Sequence, residues 1–439
     1  MSRSVRILVC GGAAIVIVLG TAVPPAAAAA PNTIRVSYTS TGGQPDGLSY
    51  LSASSLDGRY VAFTSTAPNM VPGDTNGRQD IFVRDRVAGT TTRASVSSQG
   101  AQGSGDSTQA DISADGRYVV FSSDSSDLVP GDLSGQFDIF IRDRVAHTTR
   151  RLTVGVGGVE ATGGSSEPAI TPDGKYVAFI SSASNLVADD TNGVDDIFVV
   201  TVATGAIVRA SVGVGGEADA QCFGAAISAN GRYVAFATRA DNLVSYDPGG
   251  FADVFVRDLQ HNVTRRMSQN NNGTPGNDES GLNYVAMSAD ARYVAFGSAA
   301  GNLVSGDTNG AWDVFVRDRT AGTITRVSVG PNGAQGNGNS GFLFNVSMSA
   351  DGRYVAYSSI ASNLVPGDTN ASYDVFVRDT VDGVTTRVSV SKSGGQSNSS
   401  SIDPALSSNG RHVSFTGYGS NLVPGDTNGY PDIFARDNF

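Results

Sequence analysis

Asp57-Gly-Arg-Tyr-Val-Ala-Phe63 returns six more times along this chain. It reappears as Asp115-Gly-Arg-Tyr-Val-Val-Phe121, Asp173-Gly-Lys-Tyr-Val-Ala-Phe179 and Asn230-Gly-Arg-Tyr-Val-Ala-Phe236. The last three copies are Asp290-Ala-Arg-Tyr-Val-Ala-Phe296, Asp351-Gly-Arg-Tyr-Val-Ala-Tyr357 and Asn409-Gly-Arg-His-Val-Ser-Phe415. The starts are separated by 58, 58, 57, 60, 61 and 58 residues. A fixed period of this length with strand-like content signals a closed array of small sheets.

One repeat reads as four strands, a to d. In the second copy Ala110 to Ser113 is strand a, and Ala114-Asp115-Gly116 is a tight turn of Asp and Gly chemistry. Arg117 to Phe121 is strand b, rich in β-branched and aromatic residues. A long loop ends at Asp138, Ile139 to Arg142 is strand c, and Thr149 to Val154 is strand d. Strands b and c are continuous apolar runs, as a sheet covered on both faces requires. Small residues in strand a, such as Pro168-Ala-Ile170, suit the crowded centre of a ring. The expected fold is therefore all-β: a seven-bladed β-propeller of four-stranded blades. Ile433 to Asp437 is a strand c with no strand d after it, and Thr33-Ile-Arg-Val-Ser37 reads like strand d. The N-terminal strand is thus expected to complete the last blade and leave no open edge there.

Residues 1–30 have the layout of a secretory signal peptide, with Arg3 and Arg6, an apolar run from Ile7 to Val23 and the alanines 26–30. The expected organisation is a signal peptide over 1–30 and a propeller over 31–439, secreted or otherwise extracytoplasmic, with no membrane span in the mature chain. Loss of Arg3 and Arg6 leaves 28 basic against 41 acidic residues, a net charge of −13. Such a surface repels phosphate backbones, so nucleic acid is not an expected partner. The mature chain keeps one cysteine, Cys222, which reads as a buried thiol and forms no intrachain disulfide.

The Ser-Ala-Asp-Gly-Arg-Tyr-Val-Ala-Phe core followed by Asp-Ile-Phe-Val-Arg-Asp resembles the WD40-like PD40 repeat of TolB-type propellers over about residues 31–439. The resemblance implies the propeller fold. TolB resembles a six-bladed ring behind an α/β domain, whereas this chain has seven repeats and no room for that domain. TolB's envelope role is therefore not implied.

The b–c and d–a connections are long and share one face of the ring, the place where function concentrates on a rigid scaffold. Each b–c loop carries two aspartates six residues apart. Four blades keep the whole Asp-Thr-Asn-Gly-x-x-Asp pattern: Asp74, Asn76 and Asp80; Asp190, Asn192 and Asp196; Asp307, Asn309 and Asp313; and Asp426, Asn428 and Asp432. The pattern resembles the middle of calcium loops of EF-hand or integrin-propeller type, so these twelve residues are candidate calcium ligands. An acid usual two residues earlier is missing, which points to weak binding of about 10⁻⁴–10⁻³ M. The same residues also suit an Asx-turn that caps backbone amides. Arg84-Asp85 and its equivalents read as charge pairing between blades, with strand-d arginines such as Arg93 as partners.

No catalytic residue is assigned. His147, His261 and His412 fall in different blades, so no histidine cluster forms a metal or acid–base site. This disfavours a likeness to oligogalacturonate lyases, PD40-like propellers that hold a metal with histidines. No Gly-x-Ser-x-Gly elbow or hydrolase domain accompanies the repeats. The expected function is that of an exported, non-enzymatic binding or scaffold propeller, meeting a protein or glycan partner at its long-loop face. The alternative is a secreted carbohydrate-active enzyme using loop-face carboxylates. A pair of acids unique to one blade and converging near the axis would favour that alternative.

Overall fold

The computed structural model describes residues 32–342 and 344–439. The signal-peptide reading of residues 1–30 falls outside them. Among the described residues no helix is long and apolar enough to cross a membrane.

Seven four-stranded antiparallel sheets follow one another, each in the order a-b-c-d. Blade 1 comprises Ser49–Ser54, Tyr60–Ser65, Asp80–Asp85 and Thr90–Arg93. Strands a of blades 2 to 4 are Ser107–Ile112, Ser165–Ile170 and Cys222–Ile227. Those of blades 5 to 7 are Ser280–Met287, Ser347–Met348 and Ser401–Leu406. Blade 7 is closed as the sequence implies. Asn32–Arg35 pairs antiparallel with Asp432–Asp437, in the register Thr33 to Arg436 and Arg35 to Phe434.

The repeated heptapeptide explains how blades stack. The Asp57 carboxylate accepts hydrogen bonds from the Ser55 hydroxyl and the Arg59 amide, which caps the a–b turn. Gly116 takes φ +71 in the equivalent turn, and a Cβ there would lie 2.1 Å from the Tyr60 ring of the preceding blade. The glycine thus serves both the turn and the close approach of two blades. Arg59 pairs with Asp85 at the end of strand c at 2.7 Å.

Apolar packing repeats with the same logic. Phe63 and Phe82 face each other across strands b and c with ring centroids 6.1 Å apart, and every blade has a counterpart pair. Each interface has its own apolar cluster. That between blades 2 and 3 joins Val120, Ile139 and Ile141 to Val177, Phe179 and Phe198. At the seam, Val36, Ile433 and Ala435 pack on Val61, Phe63 and Phe82. Cys222 is buried, and burial raises its thiol far from thiolate formation.

Two details differ from the expected strands. Strand d of blade 2 ends at Arg151, because the Thr153 hydroxyl takes over the ladder and accepts the Ile139 amide hydrogen. Strand a starts earlier and is bulged in its middle, between Thr108 and Asp111 in blade 2 and between Ser166 and Ala169 in blade 3. The bulge shapes the centre of the ring.

Candidate functional site: loop carboxylates and the axial cavity

All twelve candidate calcium ligands lie in b–c loops, and the structure brings an arginine to each set. Arg93, from strand d of the same blade, sits 3.5 Å from Asp74 and 3.0 Å from Asp80. Arg209 bridges Asp190 and Asp196, and Arg326 bridges Asp307 and Asp313. In blade 7 the closing strand supplies the arginine: Arg35 lies 2.7 Å from Asp426 and 3.3 Å from Asp432. Blades 2, 4 and 6 repeat the arrangement with Arg151, Arg266 and Arg387. The second aspartate also accepts a hydrogen bond from a strand-d hydroxyl two residues beyond the arginine, as from Ser95 to Asp80 and Ser37 to Asp432.

The asparagines face these carboxylates with their donor end. Asn76 gives its amide hydrogens to Asp80 and to the Gly103 carbonyl, while its oxygen accepts the Arg78 amide in an Asx-turn. Asn192, Asn309 and Asn428 do the same. Burial lifts Asp74 to about 6 against the pull of Arg93. A calcium ion at these sites must displace a buried guanidinium and turn the asparagine oxygen round. We therefore expect the melting temperature to be the same in millimolar calcium, magnesium or chelator. A calcium-specific rise that Asp307→Ala removes would establish the loops as metal sites.

Asp132, Asp138 and Glu160 bring carboxylate oxygens within 4.8 Å of one another, the geometry of an acidic metal-binding cluster. Arg151 contacts all three.

The strand-c arginine and aspartate do not pair as the sequence suggested. Asp85 is held by Arg59 of its own blade and lies at about 2, because that arginine and the Val87 and Ala88 amides stabilise its charge. Strand-c arginines instead reach carbonyls of the preceding blade, as Arg142 does to Ser97 and Arg317 to Gln269. The strand-d arginines are engaged by the loop carboxylates. The histidines remain apart: His147 and His261 are exposed, and His412 contacts Asp437 at the seam.

Along the axis the strands a surround a cavity of about 310 Å³. Its wall includes the residue three positions before the end of strand a: Leu51, Gln109, Glu167, Tyr284 and Asn345; in blade 7 that residue is Asp403, next to the wall residue Pro404. Gly224 holds that position in blade 4. Seven blades carry seven different residues at this one position, within a framework otherwise nearly uniform. Leu51, Gln109, Glu167 and Asp403 adopt left-handed backbone, with φ of 50, 55, 51 and 53°. That conformation is unfavourable for non-glycine residues and is retained where the surroundings impose it.

The carboxylates here have no basic neighbour in the wall. Burial raises Glu167 to about 7 and Asp403 to about 6. Asp111, also lifted to about 6 by burial, caps the Ile112 and Ile170 amides. Burial, then the charges of Glu167 and Asp403, raise the Tyr284 hydroxyl, which places all three groups in one electrostatic neighbourhood. Near the long-loop end, Trp312 packs on Phe342 and Phe344 on Tyr373 at about 5 Å between centroids.

The sequence reading passed over this ring because it sought repeated chemistry. The available signal was the opposite one, a single position that never repeats. The long periods of 60 and 61 residues were a second signal. Their extra residues fall in the strand-a segments of blades 5 and 6, between Ser280 and Ser288 and between Ser340 and Ser349.

The class of protein defined by these elements is a seven-bladed β-propeller with an asymmetric axial cavity. No protein-family model and no curated protein matches the chain. Among solved structures, an oligogalacturonate lyase in complex with manganese aligns at TM-score 0.55 and 11% identity, over 93% of this chain and 97% of that one. A prolyl endopeptidase aligns at TM-score 0.51 and 13% identity, over 89% of this chain and 50% of that one. A putative TolB from Agrobacterium tumefaciens aligns at TM-score 0.40 and 14% identity, over 64% of this chain and 80% of that one, too distant to carry an argument. At these identities the likeness shows the fold alone.

Proposed function

We propose that the chain is an extracytoplasmic, non-enzymatic binding propeller that receives part of a protein or glycan partner in its axial cavity from the long-loop face. The observation that carries this reading is the ring of seven unlike residues around the cavity. Selection for the fold alone favours the same residue in each blade, as it does at the turn glycine and the loop aspartates. A concave wall with a few convergent polar groups is the usual form of a ligand site. The test is binding to glycan and peptide arrays by the wild type and by Leu51→Trp, which fills the cavity from a position already occupied by a large side chain. Binding lost in Leu51→Trp at unchanged melting temperature supports the reading. Equal binding by both proteins sinks it.

The second reading is a secreted carbohydrate-active enzyme. It is favoured by the unlike carboxyls near the axis, one of which, Glu167, is lifted by burial to about 7 and so keeps part of its proton at neutral pH, as a general acid needs. We expect no turnover in a broad polysaccharide and chromogenic-glycoside screen. Turnover abolished by Glu167→Gln would establish the enzyme instead.

A further inference from the structure

We propose that the axial cavity takes an organic cation, an ammonium or guanidinium group carried by the ligand. This rests on the binding reading above and gives its ligand a chemical class. Elsewhere in this molecule buried negative charge is paired with arginine. All seven pairs of loop aspartates are bridged by an arginine, and Asp85, Asp143, Asp258, Asp318 and Asp379 are held by arginines of strand b. The axial wall departs from this rule: it contains carboxylates and no lysine, arginine or histidine.

Two oxygen atoms there also lack donors. Asp111 is satisfied by two backbone amides. The Oε2 atom of Glu167 is shut off from solvent without a hydrogen-bond partner, and so is the Oδ1 atom of Asn345. Asp403 is only 9% exposed, and its carboxylate accepts a single long hydrogen bond, from the Asn345 amide at 3.3 Å. Buried acceptors left unmatched are costly, and buried charges are ordinarily paired. The missing complement is a group rich in donors and positively charged.

A single metal ion fits this wall poorly. Among the described residues, only Asp132, Asp138 and Glu160 bring three acidic, histidine or cysteine groups within 4.8 Å, and they lie at the long-loop face of blade 2 and its connection to blade 3. Asp111, Glu167 and Asp403 do not gather in that way. An ammonium or guanidinium group with several divergent N–H donors needs no such gathering, and the aromatic ring of Tyr284 in the wall is a surface that cations favour. A cavity of about 310 Å³ suits one amino sugar or one basic side chain.

The probes are agmatine, n-butylamine and glucosamine, each titrated calorimetrically at neutral pH beside the neutral n-butanol and N-acetylglucosamine. Amines are expected to bind at least about tenfold more tightly than neutral probes, and E167Q/D403N is expected to lose at least about tenfold of that affinity. Thermal melts of each variant show that it is folded. Equal binding of amine and neutral probes, no amine binding, or undiminished amine binding by E167Q/D403N overturns the proposal. The two readings separate through the array ligands. Binding abolished by Leu51→Trp but untouched by E167Q/D403N leaves an axial binding site and removes the cation. Binding indifferent to Leu51→Trp removes the axial site itself.

Discussion

Replacing Arg35 by alanine is expected to lower stability by about 3–5 kcal/mol, the cost of leaving buried charge without its counterion. Arg35 is 2% exposed, and its partners Asp426 and Asp432 are 6% and 0% exposed. Its loss strands both carboxylates and weakens the only strand that joins the two ends of the ring. Arg93→Ala removes the same bridge in blade 1 and is the comparison that separates buried charge from closure. Deleting residues 31–38 should act more strongly still, because the edge of Asp432–Asp437 is then unpaired. The measurement is urea unfolding at neutral pH and again near pH 5. Asp432 is already raised by burial, and its protonation should recover part of the Arg35→Ala loss at the lower pH. A variant as stable as the wild type would show that the bridge is dispensable and the seam weakly coupled.

Glu167→Gln is expected to act in the other direction and stabilise the protein. The folded-state value of about 7 lies above the ordinary 4.5 of a glutamate, and burial is the principal cause. A group raised in this way binds its proton more tightly when folded. Its penalty is absent below about pH 4.5, grows as pH rises towards 7, and is complete above that. The shift corresponds to about 3 kcal/mol at full ionisation. Glutamine is uncharged at every pH, so Glu167→Gln should melt like the wild type near pH 4 and several degrees higher near pH 8. Asp111 and Tyr284 line the same cavity and Asp403 adjoins it beside Pro404, and Asp403→Asn should show a smaller gain of the same sign. A melting difference independent of pH would contradict the assignment of the penalty to the charge.

How far the chain was legible differs between its framework and its cavity. Strand order, blade count and closure followed from the period and from Thr33 to Ser37 resembling a strand d. Local chemistry repeated seven times is strong evidence. The bridge between Asp74, Asp80 and Arg93 was seen only in part. Its carboxylates were noticed as a loop motif, but the arginine lies in another strand and reaches them through the c–d pairing. Calcium and arginine answer the same local pattern, and the fold places an arginine beside it. The axial ring was illegible for a different reason. Gln109, Glu167 and Asp403 have no common chemistry and acquire meaning only when the strand-a bulges align them around one cavity.

Closure by Asn32–Arg35 also orders events during biosynthesis. Asn32 pairs with Asp437, so the residues made among the first find their partners among the last. Contacts between sequence-distant segments form slowly, and an unfinished ring exposes a strand edge. Until strand c of blade 7 emerges, the chain carries Arg35 and Ser37 without Asp426 and Asp432, and blade 1 lacks the apolar cover of Ile433 and Ala435. Completion of the ring is therefore a check on the whole propeller, from Asn32 to Asp437. A propeller interrupted within blade 7 cannot lock, and its unpaired strand edge stays open to other chains.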